Sequence, residues 1–201
     1  MADSEIADGL RAALEKGVMS AVERLGAEDG FLANTKVRIP VPKSLELIQD
    51  GLRTMGRADI ADDFVESMNR AAERAVPEAT AVFTGAIRKM TIADARGILD
   101  GGETAATEYL QRTSKDELRD RFTSIVDGAV REAGATRSYQ MLLDKAGPLG
   151  KFVNTDKLNL TDYVTDKALD GVYFMIGQEE KKIRANPAAR STELLKKVFG
   201  G

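Results

Sequence analysis

The chain of 201 residues contains no histidine and no cysteine. Without a thiol it has no cysteine nucleophile and no thiolate metal ligand. Without an imidazole it lacks the one side chain whose ordinary pKa lies close to neutral pH. These absences exclude cysteine- and histidine-based catalysis, and they exclude the usual form of the dinuclear metal bundle, in which a glutamate is followed three residues later by histidine.

Other features are also scarce. Tryptophan is absent and aromatic residues make up 5% of the chain, so aliphatic and methionine side chains must fill the core. No run of about 18 apolar residues occurs, and we therefore predict no transmembrane segment. The net charge of −3 gives no reason to expect a nucleic acid partner. The first five residues are polar and acidic, unlike a signal peptide, so we expect either a cytoplasmic protein or a chain whose leader has been removed.

What is present is a globular composition, with 43% hydrophobic and 30% charged residues. Apolar residues recur every three to four positions through almost the whole chain, which indicates amphipathic helices. We predict an all-α fold, a single compact domain over residues 1–201 with about eight to ten helices. A long buried helix is expected over residues 162–184, and a hinge or loop over residues 147–160, where Gly147 and Pro148 interrupt the pattern.

Residues 27–43 depart from the helical pattern. Prolines at positions 40 and 42 remove two backbone donors and favour extended geometry. We predict an ordered, extended, proline-containing arm rather than a central strand. Its apolar anchors are Phe31, Val37, Ile39 and Val41.

Two segments carry the pattern of a capping box, in which a serine or threonine is followed three residues later by an acid. The first, at residues 91–94, predicts the start of a short helix that ends at the glycine pair 101–102. The second, at residues 114–117, predicts the start of another helix.

The C-terminal segment is basic. Residues 181–201 hold six basic residues and one acid, a net +5, which leaves −8 for residues 1–180. Asn186 and Pro187 predict the start of a last helix. Its apolar face comprises Leu194, Leu195, Val198 and Phe199. Either the basic segment lies on its own acidic body, or it meets an anionic partner such as a lipid headgroup or a glycan phosphate.

Carboxylates are the only plentiful acid–base groups, and on amphipathic helices they usually mark the solvated face. The loop at residues 154–159 fails as a calcium loop because Leu158 stands at the third ligand position. The glycine runs lack the strand, lysine and helix of a phosphate loop, and no serine–lysine signature occurs. We therefore predict no metal site, no cofactor and no catalytic residue.

Several phrases of the sequence are typical of one family. They are Gly30-Phe31-Leu32, Val37-Arg38-Ile39-Pro40, Asn69-Arg70-Ala71-Ala72-Glu73, Val76-Pro77-Glu78-Ala79, Met90-Thr91-Ile92, Asp94-Ala95, Ala105-Ala106-Thr107-Glu108-Tyr109, Tyr163-Val164-Thr165, Ala168-Leu169-Asp170-Gly171, Glu179-Glu180, Ile183-Arg184, Asn186-Pro187-Ala188-Ala189-Arg190 and Leu194-Leu195-Lys196-Lys197-Val198-Phe199-Gly200. Over nearly its whole length the chain resembles domain-of-unknown-function family 4197, a bacterial family whose members commonly carry an export or lipoprotein leader. The resemblance implies a helical, periplasmic protein with its leader trimmed, and it implies no particular activity.

Polar residues that lie both in these phrases and beside apolar helix faces are our candidate ligand-binding residues. They are Asn69, Arg70, Glu73, Asp94, Thr107, Tyr109, Tyr163, Glu180, Arg184 and Arg190. Structural hydrogen-bond networks are the competing explanation for such groups.

Three functions remain open. The first is a non-enzymatic binding protein of the bacterial envelope, which holds a lipid or other apolar or anionic ligand, or a partner protein, in a cleft between helices or at the arm. The second is a carboxylate-based hydrolase that acts on an envelope glycan. The third is a scaffold or assembly protein that docks through its C-terminal helix.

Overall fold

The computed structural model describes residues 3–152 and 158–185, and within them the fold is all-α with no strand. The α-helices are α1 Asp3–Gly26, α2 Glu46–Thr54, α3 Ala58–Ala75, α4 Ala79–Arg88, α5 Ile92–Leu99, α6 Ala105–Glu132, α7 Ala135–Ala146 and α8 Leu160–Ala185. Short 3-10 helices span Lys43–Leu45, Val76–Glu78 and Gly147–Phe152. The predicted fold class is confirmed.

The chain divides into two compact units, each built from segments that are distant in sequence. Unit 1 comprises Met1–Arg24, Pro77–Leu118 and Val172–Gly201, and unit 2 comprises Leu25–Val76 and Arg119–Gly171. Helices α6 and α8 each contribute residues to both units. The expectation of a single domain stays a prediction, as does the hinge at residues 147–160, of which residues 147–152 form a 3-10 helix and residues 153–157 lie outside the described chain.

Unit 1 contains α1, α4, α5, the first half of α6 and the second half of α8. The apolar residues of α1 at positions 10, 14, 18 and 22 are all buried, as their three-to-four residue spacing predicts. The Phe83 and Tyr173 rings meet edge to face, with centroids 5.7 Å apart. Burial of such aromatic pairs contributes more than area alone, so this contact is a centre of the unit 1 core.

Unit 2 is built on α2, α3 and α7, with α3 packed against both of the others. Phe64 of α3 lies against the Tyr139 ring at 5.7 Å. Gly171 lies close to the Phe31 ring, and a Cβ atom there would stand 2.7 Å from Phe31 Cε1. Because real Cβ contacts are not that short, only glycine lets α8 come this close to the arm.

The arm is ordered, as predicted. Residues 28–33 and 35–37 form turns, and residues 38–42 have no regular secondary structure. All four predicted anchors are buried, with Phe31 and Ile39 fully so. Asp29 has a φ of +64°, the left-handed conformation that aspartate tolerates in turns, and this matches the turn that Asp29 and Gly30 indicate.

One of the two predicted capping boxes is confirmed and the other is wrong. Thr91 accepts a bond from the Asp94 backbone N–H, Asp94 accepts one from the Thr91 N–H, and α5 begins directly after Thr91. Ser114, by contrast, lies in the middle of α6, where its hydroxyl donates to the Leu110 carbonyl oxygen.

Within the described residues, no helix is both long enough and apolar enough to cross a membrane.

Candidate functional site

Asn69 joins the arm to α3 in unit 2. Its Oδ1 accepts from the Ile39 backbone N–H at 2.9 Å, and its Nδ2 donates to the Ile39 carbonyl at 2.9 Å and to the Val65 carbonyl at 2.7 Å. The side chain is fully buried. The amide therefore pairs with Ile39 as a neighbouring strand would, in a segment whose prolines cannot supply donors themselves.

Glu73, one turn further along α3, holds the other end of the arm. Its Oε1 accepts the backbone N–H groups of Phe31 at 3.0 Å and Leu32 at 3.2 Å. Its Oε2 lies 2.8 Å from Nη1 of Arg70. A buried carboxylate is tolerated when it is both hydrogen-bonded and paired with a cation, and Glu73 meets both conditions.

Arg70 is surrounded by carboxylates. Besides Glu73, it bonds Asp29 at 2.8 Å and lies 3.5 Å from Glu66 and 3.9 Å from Glu28. The hydrogen bond to Glu73, followed by the one to Asp29, raises the pKa of Arg70 above its ordinary value. An added anion would have to compete with these acids for the guanidinium.

Unit 1 contains a second network of the same kind, at the start of α6. Glu180 accepts from the backbone N–H groups of Ala106 at 3.0 Å and Thr107 at 2.9 Å, and from the Thr107 hydroxyl at 2.7 Å. These are among the N–H groups that a helix leaves without partners in its first turn. A negative charge there also interacts favourably with the helix dipole.

Arg184 pairs with this glutamate one turn further along α8. Its Nη2 lies 2.9 Å from the Glu180 Oε1 and also donates to the Ile98 carbonyl at 2.8 Å. Arg184 thus links the end of α5 to α8, while Glu180 links the start of α6 to α8. Both side chains form hydrogen bonds with backbone groups of the protein itself.

A shallow groove of about 360 Å³ lies along α5 and the first turns of α6. Asp94, Tyr109 and Arg112 contribute to its walls. The bonds from the Thr91 backbone and hydroxyl hold the pKa of Asp94 below its ordinary value. Burial raises the pKa of Tyr109, whose ring lies 5.7 Å from the Arg112 guanidinium carbon.

Tyr163 donates its hydroxyl to the Pro40 carbonyl at 3.0 Å, so it too is bonded to the arm. Burial, with a smaller effect of Glu46, raises its pKa to about 12. Beside the arm lies a concave surface of about 480 Å³ whose charges are mixed. Its charged lining residues are Arg38, Glu46, Arg53 and Asp62.

The predicted residues thus fall into separate groups. In unit 2, Asn69, Arg70, Glu73 and Tyr163 all contact the arm or its turn. In unit 1, Thr107, Glu180 and Arg184 form one network, and Asp94 and Tyr109 line one groove. Arg190 lies outside the described residues. That any of them binds a ligand stays a prediction.

A largely apolar concave surface that the sequence does not single out lies between α1 and α8 in unit 1. We call it the α1–α8 cleft. Its lining comprises Leu10, Ala13, Leu14, Gly17, Ala106, Ile176, Glu180, Ile183 and Arg184. Its cavity volume is only about 20 Å³, far smaller than the two surfaces described above. That is room for a single water, so any larger apolar group would lie along the open side of the cleft rather than inside it.

Metal binding finds no support in the part of the chain that the structure describes. No group of three or more histidine, cysteine, aspartate and glutamate side chains there is placed to hold an ion.

Comparison with curated proteins gave no match, and comparison with solved structures gave none either. The comparison with protein families gave one that covers almost the whole chain. Residues 1–200 match the model of the family described as "Protein of unknown function (DUF4197)", and the chain belongs to this family.

Proposed function

We propose that this protein is a non-enzymatic binding protein of the bacterial envelope, and that its α1–α8 cleft receives an apolar segment of a partner protein. The observation that carries the proposal is the lining of the cleft. Its described walls are almost entirely apolar, and the two charged residues among them, Glu180 and Arg184, are paired with each other. An amphipathic helix recognises such a groove through side chains spaced three and four residues apart.

The periplasmic location is part of this proposal. It is supported by the export and lipoprotein leaders that the family resemblance implies. Fractionation of cells that produce the protein from its full-length gene tests it. Recovery with the cytoplasmic fraction would contradict the location without bearing on the cleft.

The hydrolase alternative has less support. Among the described residues, the buried carboxylates are Glu73 and Glu180. Each accepts two backbone N–H bonds and pairs with an arginine, whereas a general acid must carry a proton that it can release to the substrate. Docking through the predicted C-terminal helix concerns residues outside the described chain.

Affinity capture from envelope extracts tests the proposal with three chains: the natural one, Gly17→Leu and Met19→Leu. A Cβ atom at position 17 would lie 3.8 Å from the Glu179 Cβ, an ordinary contact, so the variant should fold, and the remaining atoms of leucine would fill the cleft and project from its open side. Met19 lies on the same helix, is 61% exposed and does not line the cleft.

We expect the natural chain and Met19→Leu to retain the same bound protein, and Gly17→Leu to lose it by about tenfold or more. Native mass spectrometry and lipid extraction of the same samples test for an apolar small molecule instead. Identical recovery with all three chains, or no partner and no lipid with the natural chain, would sink the proposal.

A further inference from the structure

We propose that the concave surface formed by the arm, α2 and α3 binds a short peptide with free termini, with the peptide's ammonium group at Glu46 and its carboxylate at Arg53. We call this surface the arm–α2 surface. Its polar lining residues are Thr35, Arg38, Glu46, Gln49, Arg53 and Asp62. It lies entirely in unit 2, so the inference is independent of the α1–α8 cleft in unit 1.

The polar side chains of the arm–α2 surface are not used by the protein itself. None of the six forms a side-chain hydrogen bond or an ion pair with another described residue. By contrast, the buried carboxylates of Glu73 and Glu180 each accept two backbone N–H groups and pair with an arginine. Polar groups that line a concave surface without a partner inside the protein are available to orient a ligand.

The arm adds a backbone donor to this surface. Val41 is 4% exposed and lines the surface, and its N–H donates no hydrogen bond within the described chain. The preceding residue, Pro40, has no N–H to donate. Because the backbone N–H groups of buried residues usually have a partner, the unpaired N–H of Val41 indicates an acceptor that the protein does not supply. The carbonyl group of a peptide is such an acceptor.

Three lining residues of α2 form a row that runs from negative to positive. Glu46, Gln49 and Arg53 are three and four residues apart, so they lie on one face of the helix. Seven residues of helix rise by roughly 10 Å, and an extended chain of three residues spans about the same length. A tripeptide laid along the row would place its ammonium group at Glu46, an inner amide at Gln49 and its carboxylate at Arg53.

The charge of the surface favours a zwitterion over an ion of one sign. Two arginines and two acids line it, a net charge of zero. A purely anionic ligand would be repelled by Glu46 and Asp62, and a purely cationic one by Arg38 and Arg53. A peptide with two free termini presents one group of each sign. The volume of about 480 Å³ lies within the range of roughly 300–1,000 Å³ that is typical of small-molecule sites.

Titration of the isotope-labelled full chain with trialanine, followed by NMR, tests the inference. We expect the resonances of the Val41 backbone N–H and the Gln49 side-chain amide to shift. The dissociation constant should be about 0.1–10 mM, because exposed ion pairs contribute little each. Trialanine that is acetylated at its N-terminus, or amidated at its C-terminus, lacks one charge and should bind about threefold to fivefold more weakly.

Two variants assign the ends of the peptide. Glu46→Gln should lower the affinity for trialanine by about threefold to fivefold, and N-terminal acetylation should then cause no further loss. Arg53→Gln should respond in the same way to C-terminal amidation. Asp50→Asn and Lys43→Gln, at exposed positions that do not line the surface, are the matched controls and should bind as the natural chain does. All four positions are exposed, so each variant should keep the fold, which circular dichroism checks.

Three results would overturn the inference. One is the absence of any shift at Val41 and Gln49 up to about 10 mM trialanine. Another is equal binding of trialanine and of trialanine blocked at both ends, since the charges would then play no part. The third is tighter binding of phosphoethanolamine or inorganic phosphate, because the surface would then recognise a phosphate group rather than a peptide. These measurements need no partner protein and no residue of the α1–α8 cleft, so their failure would leave the proposed function standing.

Discussion

Two buried glutamates perform the same task at different places in the fold. Glu73 binds two successive backbone N–H groups of the turn after α1, and Glu180 binds two at the start of α6. Each is paired with an arginine of its own helix, at three residues' distance for Arg70 and four for Arg184. Charged side chains in apolar stretches thus serve here to attach irregular or terminal backbone to a helix.

The side chain of Asn69 carries the sharpest stability prediction at the residue scale. Asn69→Leu would leave the Ile39 N–H and the Ile39 and Val65 carbonyls without their present partner inside the protein. A buried polar group without a partner destabilises the folded state by more than its hydrogen bond stabilised it. We therefore expect a loss of about 2–4 kcal/mol in the free energy of unfolding, measured by urea denaturation.

Gln140→Ala, at an exposed position of α7, is the control and should change stability by less than about 0.5 kcal/mol. Asn69→Asp keeps the acceptor but loses both donors, so it should also be destabilising. A loss below about 1 kcal/mol for Asn69→Leu would show that the arm does not depend on this amide.

Sequence reasoning found these residues but not their partners. Asn69, Glu73 and Glu180 stand out because they are polar among residues committed to packing. Their partners, however, are backbone N–H groups 30 to 74 positions away, and backbone groups leave no trace in residue type. The choice between a ligand site and a structural bond therefore could not be made before the fold was known.

At the scale of elements, the two capping boxes show why the same local pattern can have different outcomes. Thr91 follows a residue that is not helical, and it precedes the first turn of α5, whose backbone N–H groups have no partner within the helix. Its side chain therefore caps α5. Ser114 stands within a continuous helix, where its hydroxyl bonds the carbonyl four residues earlier and contacts the Tyr173 hydroxyl at 3.2 Å. Tertiary packing on α6 overrides a cap signal that local sequence alone favours.

The approach of α8 to the arm depends on a missing side chain. In Gly171→Ala the new Cβ would stand 2.7 Å from the Phe31 ring and 3.3 Å from the Val37 Cβ, so a fully buried ring would have to move. We expect a loss of about 1–3 kcal/mol in the free energy of unfolding, by urea denaturation.

Gly128→Ala is the matched control, because it lies within α6, also in unit 2, with nothing within 4 Å of the added atom. Alanine is a better helix former than glycine, so this variant should gain up to about 1 kcal/mol. The two substitutions are identical in chemistry, and effects of the same sign would refute the close packing of α8 on Phe31.

The α1–α8 cleft illustrates a limit of periodicity. Leu10 and Leu14 of α1 follow the three-to-four residue spacing of an ordinary buried helix face, and both also line the cleft. Whether a partner helix fills that face completely or leaves a groove depends on the distance between helices, which no residue spacing records. The arm, by contrast, was predictable because proline restricts backbone geometry directly.

At the scale of the whole molecule, the lack of histidine and cysteine should be measurable in how stability varies with pH. Stability varies with pH only where the folded and unfolded states bind different numbers of protons. No type of side chain in this chain has its ordinary pKa between about pH 6 and 9. The free energy of unfolding should therefore stay within about 0.5 kcal/mol across that range, where histidine-containing proteins commonly vary.

Above about pH 9 the tyrosines should govern how the free energy of unfolding varies with pH. Burial raises the pKa of Tyr109, Tyr163 and Tyr173, with Tyr163 at about 12. The pKa of each of these tyrosines is higher in the folded state than in the unfolded state. The contribution of that tyrosine to stability is therefore complete below the unfolded-state pKa of about 10, and it is lost as the pH rises toward the folded-state pKa. Unfolding free energies and phenolate absorbance, free of tryptophan overlap, should both show the change above about pH 10.

Tyr163→Phe separates this effect from general alkaline denaturation. It removes the hydroxyl with the largest shift and its bond to the Pro40 carbonyl, so stability at neutral pH should fall by about 1 kcal/mol. The free energy of unfolding of Tyr163→Phe should also decline less steeply above pH 10 than that of the natural chain, because the variant has one fewer group whose pKa is higher in the folded state. A steep change between pH 6 and 9, or an unchanged alkaline slope in Tyr163→Phe, would mean that groups other than these tyrosines govern the pH dependence.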